Sequence, residues 1–295
     1  MPGAILHNQR LTLGLRSEYY SIEAVSEGLY YGSPLPGGRG KESGTVFGGN
    51  LTLENDLAEN HLLFVTLARG YKAGGANVAA FLEEGDPLTY GDETLWNYEF
   101  GLRSHWFDGA LTSSVTAFYL DRSDAQLRDS AGAGGFFRYF TSNQGDAEHL
   151  GLEAETRWLV TDNWTLNAGV GLLDAELDAT GRELSNSPRY TYNTGVSYTG
   201  NNGVFGSLEL NGRDKYFESN SSGNNEERES YSLVNATIGY EYEGWTFSIW
   251  AKNLFDEAYE KRLFYFGNAQ PDWESTRYED PADPRQIGVT ARYSF

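Results

Sequence analysis

Aromatic side chains, in three cases mixed with basic ones, mark four stretches of this chain: Arg69, Tyr71 and Lys72; Tyr216 and Phe217; Arg262, Phe264, Tyr265 and Phe266; and Trp273, Arg277 and Tyr278. Rings stack and cationic heads supply charge, so such mixtures suit anionic, catechol-like groups. The same residues can equally serve the fold that carries them. Three acidic runs, Glu83-Glu84-Asp86, Glu226-Glu227-Glu229 and Asp280–Asp283, offer oxygen donors to a hard divalent cation. None follows an EF-hand pattern, and a solvated loop is the simpler reading. His7, His61, His105 and His149 are scattered without metal-ligand spacing. Gly195-Val196-Ser197-Tyr198-Thr199-Gly200 misses the spacing of a nucleophile elbow and sits in a strand pattern rather than a strand–helix turn. Glu153 and Glu155 share one strand face with Arg157, which reads as an ion-pair ladder rather than an acid/base pair. No catalytic residue, metal site or cofactor is expected.

Composition narrows the setting. The 295 residues allow one large all-β unit or two small domains, and cysteine is absent, which removes disulfide and thiolate chemistry. Aromatics at 15%, 35 glycines and 20 tyrosines favour strands and turns. A net charge of -20 disfavours a nucleic-acid partner. Mean hydropathy is -0.52 and no run approaches the ~18 apolar residues of a membrane helix. A membrane barrel carries apolar residues only at alternate positions, so it passes both tests. The start, Met1-Pro2-Gly3-Ala4-Ile5-Leu6-His7, lacks the basic, apolar and small-residue regions of a signal peptide, and an exported protein is expected to begin upstream of it.

The elements that must position these residues are strands. From Gln286 to Phe295 the chain alternates without a break: Ile287, Val289, Ala291, Tyr293 and Phe295 on one face, Gln286, Gly288, Thr290, Arg292 and Ser294 on the other. The same period of two predicts strands at 10–20, 45–53, 62–71, 96–102, 111–119 with an extension to 128, 136–160, 164–172, 190–198, 206–210, 234–242 and 245–264. Residues 26–41, 73–92, 179–187 and 218–228 read as long loops. Short and long connections alternate, the mark of an up-and-down meander. The polar faces hold Glu99, Arg103, Glu153, Glu155, Arg157, Arg189, Asn193, Glu209 and Arg292. Aromatics beside the short turns, Trp106, Trp158, Trp164, Tyr198, Tyr242, Trp245, Tyr293 and Phe295, match an interfacial girdle. The expected class is all-β: an antiparallel up-and-down transmembrane β-barrel of about twelve strands, apolar side to lipid and polar side to a wet lumen. A soluble sandwich would instead seal Leu166, Val196 and Ile287 in a dry interior. No 40–50-residue self-similarity supports a propeller.

Three segments resemble TonB-dependent outer-membrane receptors: Lys252-Asn253-Leu254-Phe255-Asp256-Glu257-Ala258-Tyr259 followed by Pro284-Arg285-Gln286-Ile287-Gly288-Val289 and a terminal Phe295; Leu67-Ala68-Arg69-Gly70-Tyr71-Lys72-Ala73-Gly74-Gly75-Ala76-Asn77; and Asn143-Gln144-Gly145-Asp146-Ala147-Glu148-His149-Leu150-Gly151-Leu152-Glu153. The resemblance implies the C-terminal part of a barrel of about 22 strands with a plugged lumen, residues 1–295 forming a partial barrel domain. It implies a bacterial outer-membrane location, lipid contact, and a scarce ligand such as a ferric siderophore rather than an enzyme's substrate. TonB would act only through a plug and box that have no counterpart here, and the barrel-assembly machinery would meet Phe295. The four stretches named first then become the ligand-contacting surface of the loops and outer lumen. Two other readings stay open: an autonomous twelve-stranded channel or hydrolase, the latter needing a Ser–His pair on neighbouring strands, and a soluble carbohydrate-binding sandwich.

Overall fold

The computed structural model describes residues 7–27, 29–30, 33–34, 37–78, 82, 85–133, 136–178, 180–218, 227–267 and 274–295. Their main sheet is built from β1 (His7–Ser26), β2 (Gly38–Ala58), β3 (His61–Lys72), β4 (Glu93–Trp106), β5 (Leu111–Ser123), β6 (Ala147–Leu159), β7 (Trp164–Leu177), β8 (Tyr190–Thr199), β9 (Val204–Arg213), β10 (Tyr231–Tyr242), β11 (Trp245–Lys252) and β12 (Gln286–Tyr293). Each pairs antiparallel with the next in sequence order, and a two-residue strand, Arg182–Glu183, adds to β7. Among the described residues β1 pairs only with β2, and β12 only with β11.

Tight turns close one end of the sheet. Phe107, Asp108 and Gly109 all have positive φ between β4 and β5, at 53°, 55° and 89°. Glu243 (φ 45°) and Gly244 (φ 83°) join β10 to β11 as a two-residue loop with both central residues left-handed, which matches the strands' own twist. The other end carries the long connections. Within them lie separate hairpins: Leu29–Tyr30 with Ser33–Pro34, Gly75–Ala76 with Thr89–Tyr90, Gln126–Ala133 with Phe136–Asn143, Tyr216–Phe217 with Glu227–Arg228, and Glu260–Gly267 with Ser275–Pro281.

The register aligns the apolar positions into rows. Leu53, Val65, Phe100, Ala117, Leu152 and Leu172 sit opposite one another from β2 to β7. Val196, Leu208, Ala236, Ala251 and Ile287 do so from β8 to β12, and Ile238, Ile249 and Val289 from β10 to β12. These side chains are left uncovered: Ile238 is 62% exposed, Ile287 67% and Val289 76%. Leu166 and Leu208 are exposed as well. The sandwich reading required a sealed interior for these residues, and the structure contradicts it. Their neighbours on the other face are crowded, Phe64 at 6% beside Val65 at 44%. A curved sheet crowds its concave side and splays its convex side, so the apolar rows are convex and the polar rows line the lumen.

The concave face has its own packing rule, in which an aromatic ring covers a glycine on the adjacent strand. Phe64 lies over Gly101, Phe118 over Gly151, Phe205 over Gly239 and Trp250 over Gly288, each pair directly opposite in the ladder. A Cβ at Gly101 would stand 2.2 Å from Phe64 Cζ, so the glycine is what admits the ring. The guanidinium of Arg103 closes the other side of that ring at 4.7 Å.

Several boundaries differ from the sequence expectation. The ladder of β1 and β2 runs on to Ser26 and Gly38, into the stretch read as loop, tied by an ion pair between Glu23 and Arg39. Strand β5 stops at Ser123, where Asp124 turns left-handed (φ 54°), and the single strand expected over 136–160 is two, broken at Gly145 (φ 100°). Strand β11 ends at Lys252 because Asn253 and Asp256 have positive φ, and residues 260–267 belong to a separate hairpin. The Glu153–Glu155–Arg157 ladder is not formed: among the described residues none of the three makes an ion pair. Residues two apart on a strand are spaced about 7 Å along it.

Candidate ligand site at the loop end

The long loops are bound to one another by polar contacts rather than by a large core. Glu93, at the loop end of β4, is 1% exposed. Its carboxylate accepts from Arg122 Nε at 2.8 Å, from the backbone N–H of Gln126 at 2.7 Å and from Lys72 Nζ at 3.3 Å. Asn77 Nδ2 donates to the carbonyls of Pro87 and Thr141 at 2.8 Å each, and its Oδ1 accepts from Thr141 N–H at 2.9 Å. These bonds fix the β3–β4 connection to the β5–β6 connection. A small apolar cluster, Ala125, Leu127, Ala147, Ala175 and Leu184, extends the block to the loop after β7.

The β9–β10 and β11–β12 connections form a second block. Arg213, the last residue of β9, falls on the concave parity, and its guanidinium lies 4.4 Å from the centre of the Tyr216 ring and 4.7 Å from that of Tyr231. Arg228 faces Tyr216 at 5.1 Å, pairs with Glu218 at 3.0 Å and donates to the Glu260 carbonyl. Tyr231 packs on Tyr259 at 4.4 Å between ring centres, which carries the stack from one loop to the next. Burial pushes the Tyr216 phenol above its ordinary range despite the two arginines, so it stays protonated at neutral pH. Arg228 and Arg277 have carboxylate partners, the latter Glu260 at 2.9 Å and Glu279. Among the described residues Arg213 has none, and its buried Nε has no hydrogen-bond acceptor.

The residues singled out from sequence therefore separate. Tyr216 is buried between arginines, with Phe217 half-buried beside it. Arg262 lies 4.9 Å over Phe264, which stacks on Tyr278 at 5.4 Å, so these three share one face of the last loop hairpin; Tyr265 is half-buried in the same hairpin. Tyr71 donates to Glu18 at 3.0 Å, and Lys72 is bound to Glu93. Arg69 shares a row with Leu15, Gly49 and Trp96 and so turns to the convex face, away from the lumen. Trp273, the Phe266 side chain, Glu83, Glu84 and Glu226 lie outside the described residues. Arg213, Arg228, Tyr231 and Tyr259 were missed; strand parity alone would have placed Arg213 at the mouth.

At the turn end, His61 Nδ1 and Ser104 Oγ are 3.0 Å apart on adjacent strands, the arrangement a hydrolase would need. Ser104 is 2% exposed and Trp106 packs on His61 at 4.6 Å, so a carbonyl has no approach to the hydroxyl. The other girdle residues gather at this same end: Trp164 meets Tyr198 at 4.8 Å, Trp245 meets Tyr293 at 4.9 Å, and Tyr293 meets Phe295 at 5.3 Å. Trp158 and Tyr242 are exposed on the same face.

Comparison with known proteins agrees with this geometry. Residues 6–254 match the family described as TonB dependent receptor-like, beta-barrel. The pesticin receptor of Yersinia pestis is 25% identical over 299 residues, covering 96% of this chain and 41% of that receptor. The crystal structure of the ferric yersiniabactin uptake receptor FyuA from Yersinia pestis superposes with a TM-score of 0.80 at 21% identity, over 99% of this chain and 44% of that one. The ferric-catecholate import receptor Fiu from E. coli K12, in its closed form, gives a TM-score of 0.75 at 18% identity, over 99% and 43%. The chain thus spans less than half the length of each.

Proposed function

Because this chain belongs to the TonB dependent receptor-like β-barrel family, whose members are bacterial outer-membrane proteins, we propose that residues 1–295 form the C-terminal barrel portion of a receptor that takes up an iron–siderophore complex or a similar scarce ligand. The family is one of transport receptors rather than enzymes. Support for a single partial barrel domain comes from the two sheet edges that have no partner strand among the described residues and from the length of the relatives. Lipid offers an edge no hydrogen bonds, so in this reading further strands complete the wall. In the complete receptor, TonB would act through a plug and its coupling box, and Phe295 would be read by the barrel-assembly machinery.

The observation that carries the ligand reading is Arg213, a cation at the lumen mouth flanked by two tyrosines and lacking a carboxylate partner among the described residues. Arg262, Phe264 and Tyr278 supply a second cation with rings on the adjoining loop. An anionic, ring-bearing iron complex satisfies both charge and stacking. Arg213→Ala is expected to weaken binding of a ferric catecholate or ferric phenolate complex about tenfold or more, ~1.4 kcal/mol. Quenching of tryptophan fluorescence on titrating the protein in detergent measures this. Equal affinity of wild type and variant, or no binding by either class of complex, contradicts the reading.

A further inference from the structure

The convex face holds a groove that the cargo site does not use. It has a volume of about 300 Å³ and runs across β1 to β4, walled by Leu13, Leu15, Leu51, Leu67 and Trp96, with Arg69 at its upper end. Its floor is the backbone of Gly48, Gly49 and Asn50, and Gly49, the one of the three whose position faces this side, carries no side chain. Leu15 leans over Gly49 so closely that a Cβ would stand 3.2 Å from its Cδ2 and 2.6 Å from the Gly14 carbonyl oxygen. Arg69 donates to the Phe47 carbonyl, which holds the guanidinium in place, and among the described residues it makes no ion pair.

Depth decides what can occupy the groove. Arg69 stands about eight residues up β3 from the turn at His61, and Trp96 about ten residues up β4 from Trp106, close to the ~9–11 residues that cross the hydrocarbon core. Leu13, Leu51 and Leu67, one row nearer the turns, therefore lie at acyl-chain level; Leu15 and Trp96 share the row of Arg69, whose guanidinium reaches on to the Phe47 carbonyl at headgroup level, with Trp96 as interfacial anchor. Farther along the sheet, on β5 to β7, the same register row is acidic. The row that contains Arg69 continues through Trp96 to Asp121, Glu148 and Glu176. The Asp178 carboxyl beside them is held above its ordinary range by burial, then by Glu148, Asp146 and Asp121. An anionic headgroup is repelled there and attracted at Arg69.

We infer that this groove is a binding site for an outer-leaflet lipid with a phosphorylated headgroup, one acyl chain lying on Gly48 and Gly49 between the leucines and the phosphate paired with Arg69. The phosphate accepts from the guanidinium N–H groups not used by Phe47, a charge-assisted contact that a zwitterionic or dephosphorylated headgroup makes less well. Because Arg69 and Arg213 lie on opposite faces of the sheet, failure here leaves the cargo reading intact.

The test is native mass spectrometry of the complete receptor that carries this chain, stripped of lipid in mild detergent and offered bis-phosphorylated lipid A, dephosphorylated lipid A, phosphatidylcholine or inorganic phosphate. Wild type is expected to retain one bis-phosphorylated lipid A, at least fivefold above the other three probes. Arg69→Gln is expected to lose that excess and Arg69→Lys to keep most of it. Leu67→Trp, which fills the groove and leaves the charge, is expected to lose it too. Retention by Arg69→Gln or Leu67→Trp at the wild-type level, equal retention of dephosphorylated lipid A, or binding of inorganic phosphate alone overturns the inference.

Discussion

Replacing Arg122 with methionine is expected to cost about 3–5 kcal/mol, the range for removing one partner of a buried ion pair. Glu93 is almost fully buried and Arg122 nearly so, with side-chain exposures of 2% and 16%. Lys72, the other cation, is 55% exposed on its side chain and more distant at 3.3 Å, so it compensates only in part. The carboxylate also receives the N–H of Gln126, which starts the first strand of the β5–β6 loop hairpin. Its loss should therefore loosen two connections together: residues 73–92, held through Gln126 Nε2 to Ala73 and Gly91, and residues 124–146. A lower urea midpoint and faster proteolysis in both loops are the expected readouts. The double replacement Glu93→Met with Arg122→Met should be less destabilised than Arg122→Met alone, since no charge is then stranded. Equal damage in the two would mean that packing, not charge, holds the loops.

The second large effect separates the two faces of one strand. Ile249, in the row with Ile238 and Val289, is 55% exposed on the convex face near mid-span of β11. Ile249→Arg is expected to cost about 2–4 kcal/mol, as for a cation facing lipid at the bilayer midplane. Ser248→Arg, one residue away and facing the lumen, is expected to cost little. Urea unfolding in phospholipid vesicles gives both numbers. Similar costs at the two positions would mean that neither face meets hydrocarbon.

Much of the barrel was legible because its rule is simple. Lipid demands an apolar side chain at every second position, and the chain must reverse at each membrane surface, so alternation and connection length together give strand number and direction. Boundaries beyond the membrane followed no such rule. The hairpin strands that start at Gln126 and Glu260 are extended too, so an extended reading runs on across Asp124 and Asn253, two non-glycine residues whose left-handed conformation the composition does not announce. The run Leu62-Leu63-Phe64-Val65 hid its faces because Phe64 points into the lumen as the ring that covers Gly101, and an apolar residue there mimics a lipid-facing one. Arg69 was grouped with the ligand site by its aromatic–basic neighbours at the loop end, and that ambiguity left its face unread. The site was less legible still. The cluster around Tyr216 reaches a second loop only through Tyr231 and Tyr259, and only the fold shows that, among the described residues, Arg228 has a carboxylate and Arg213 does not.

The central claim is one of orientation, and the absence of native cysteine makes it directly measurable. Single cysteines at Ile238, Ile249 and Val289, and at their neighbours Thr237, Ser248 and Thr290, should be treated in native outer membranes with a membrane-impermeant maleimide applied from the periplasmic and external sides. The account predicts that the first three stay unlabelled while the second three react. Labelling of the first set with protection of the second would contradict it.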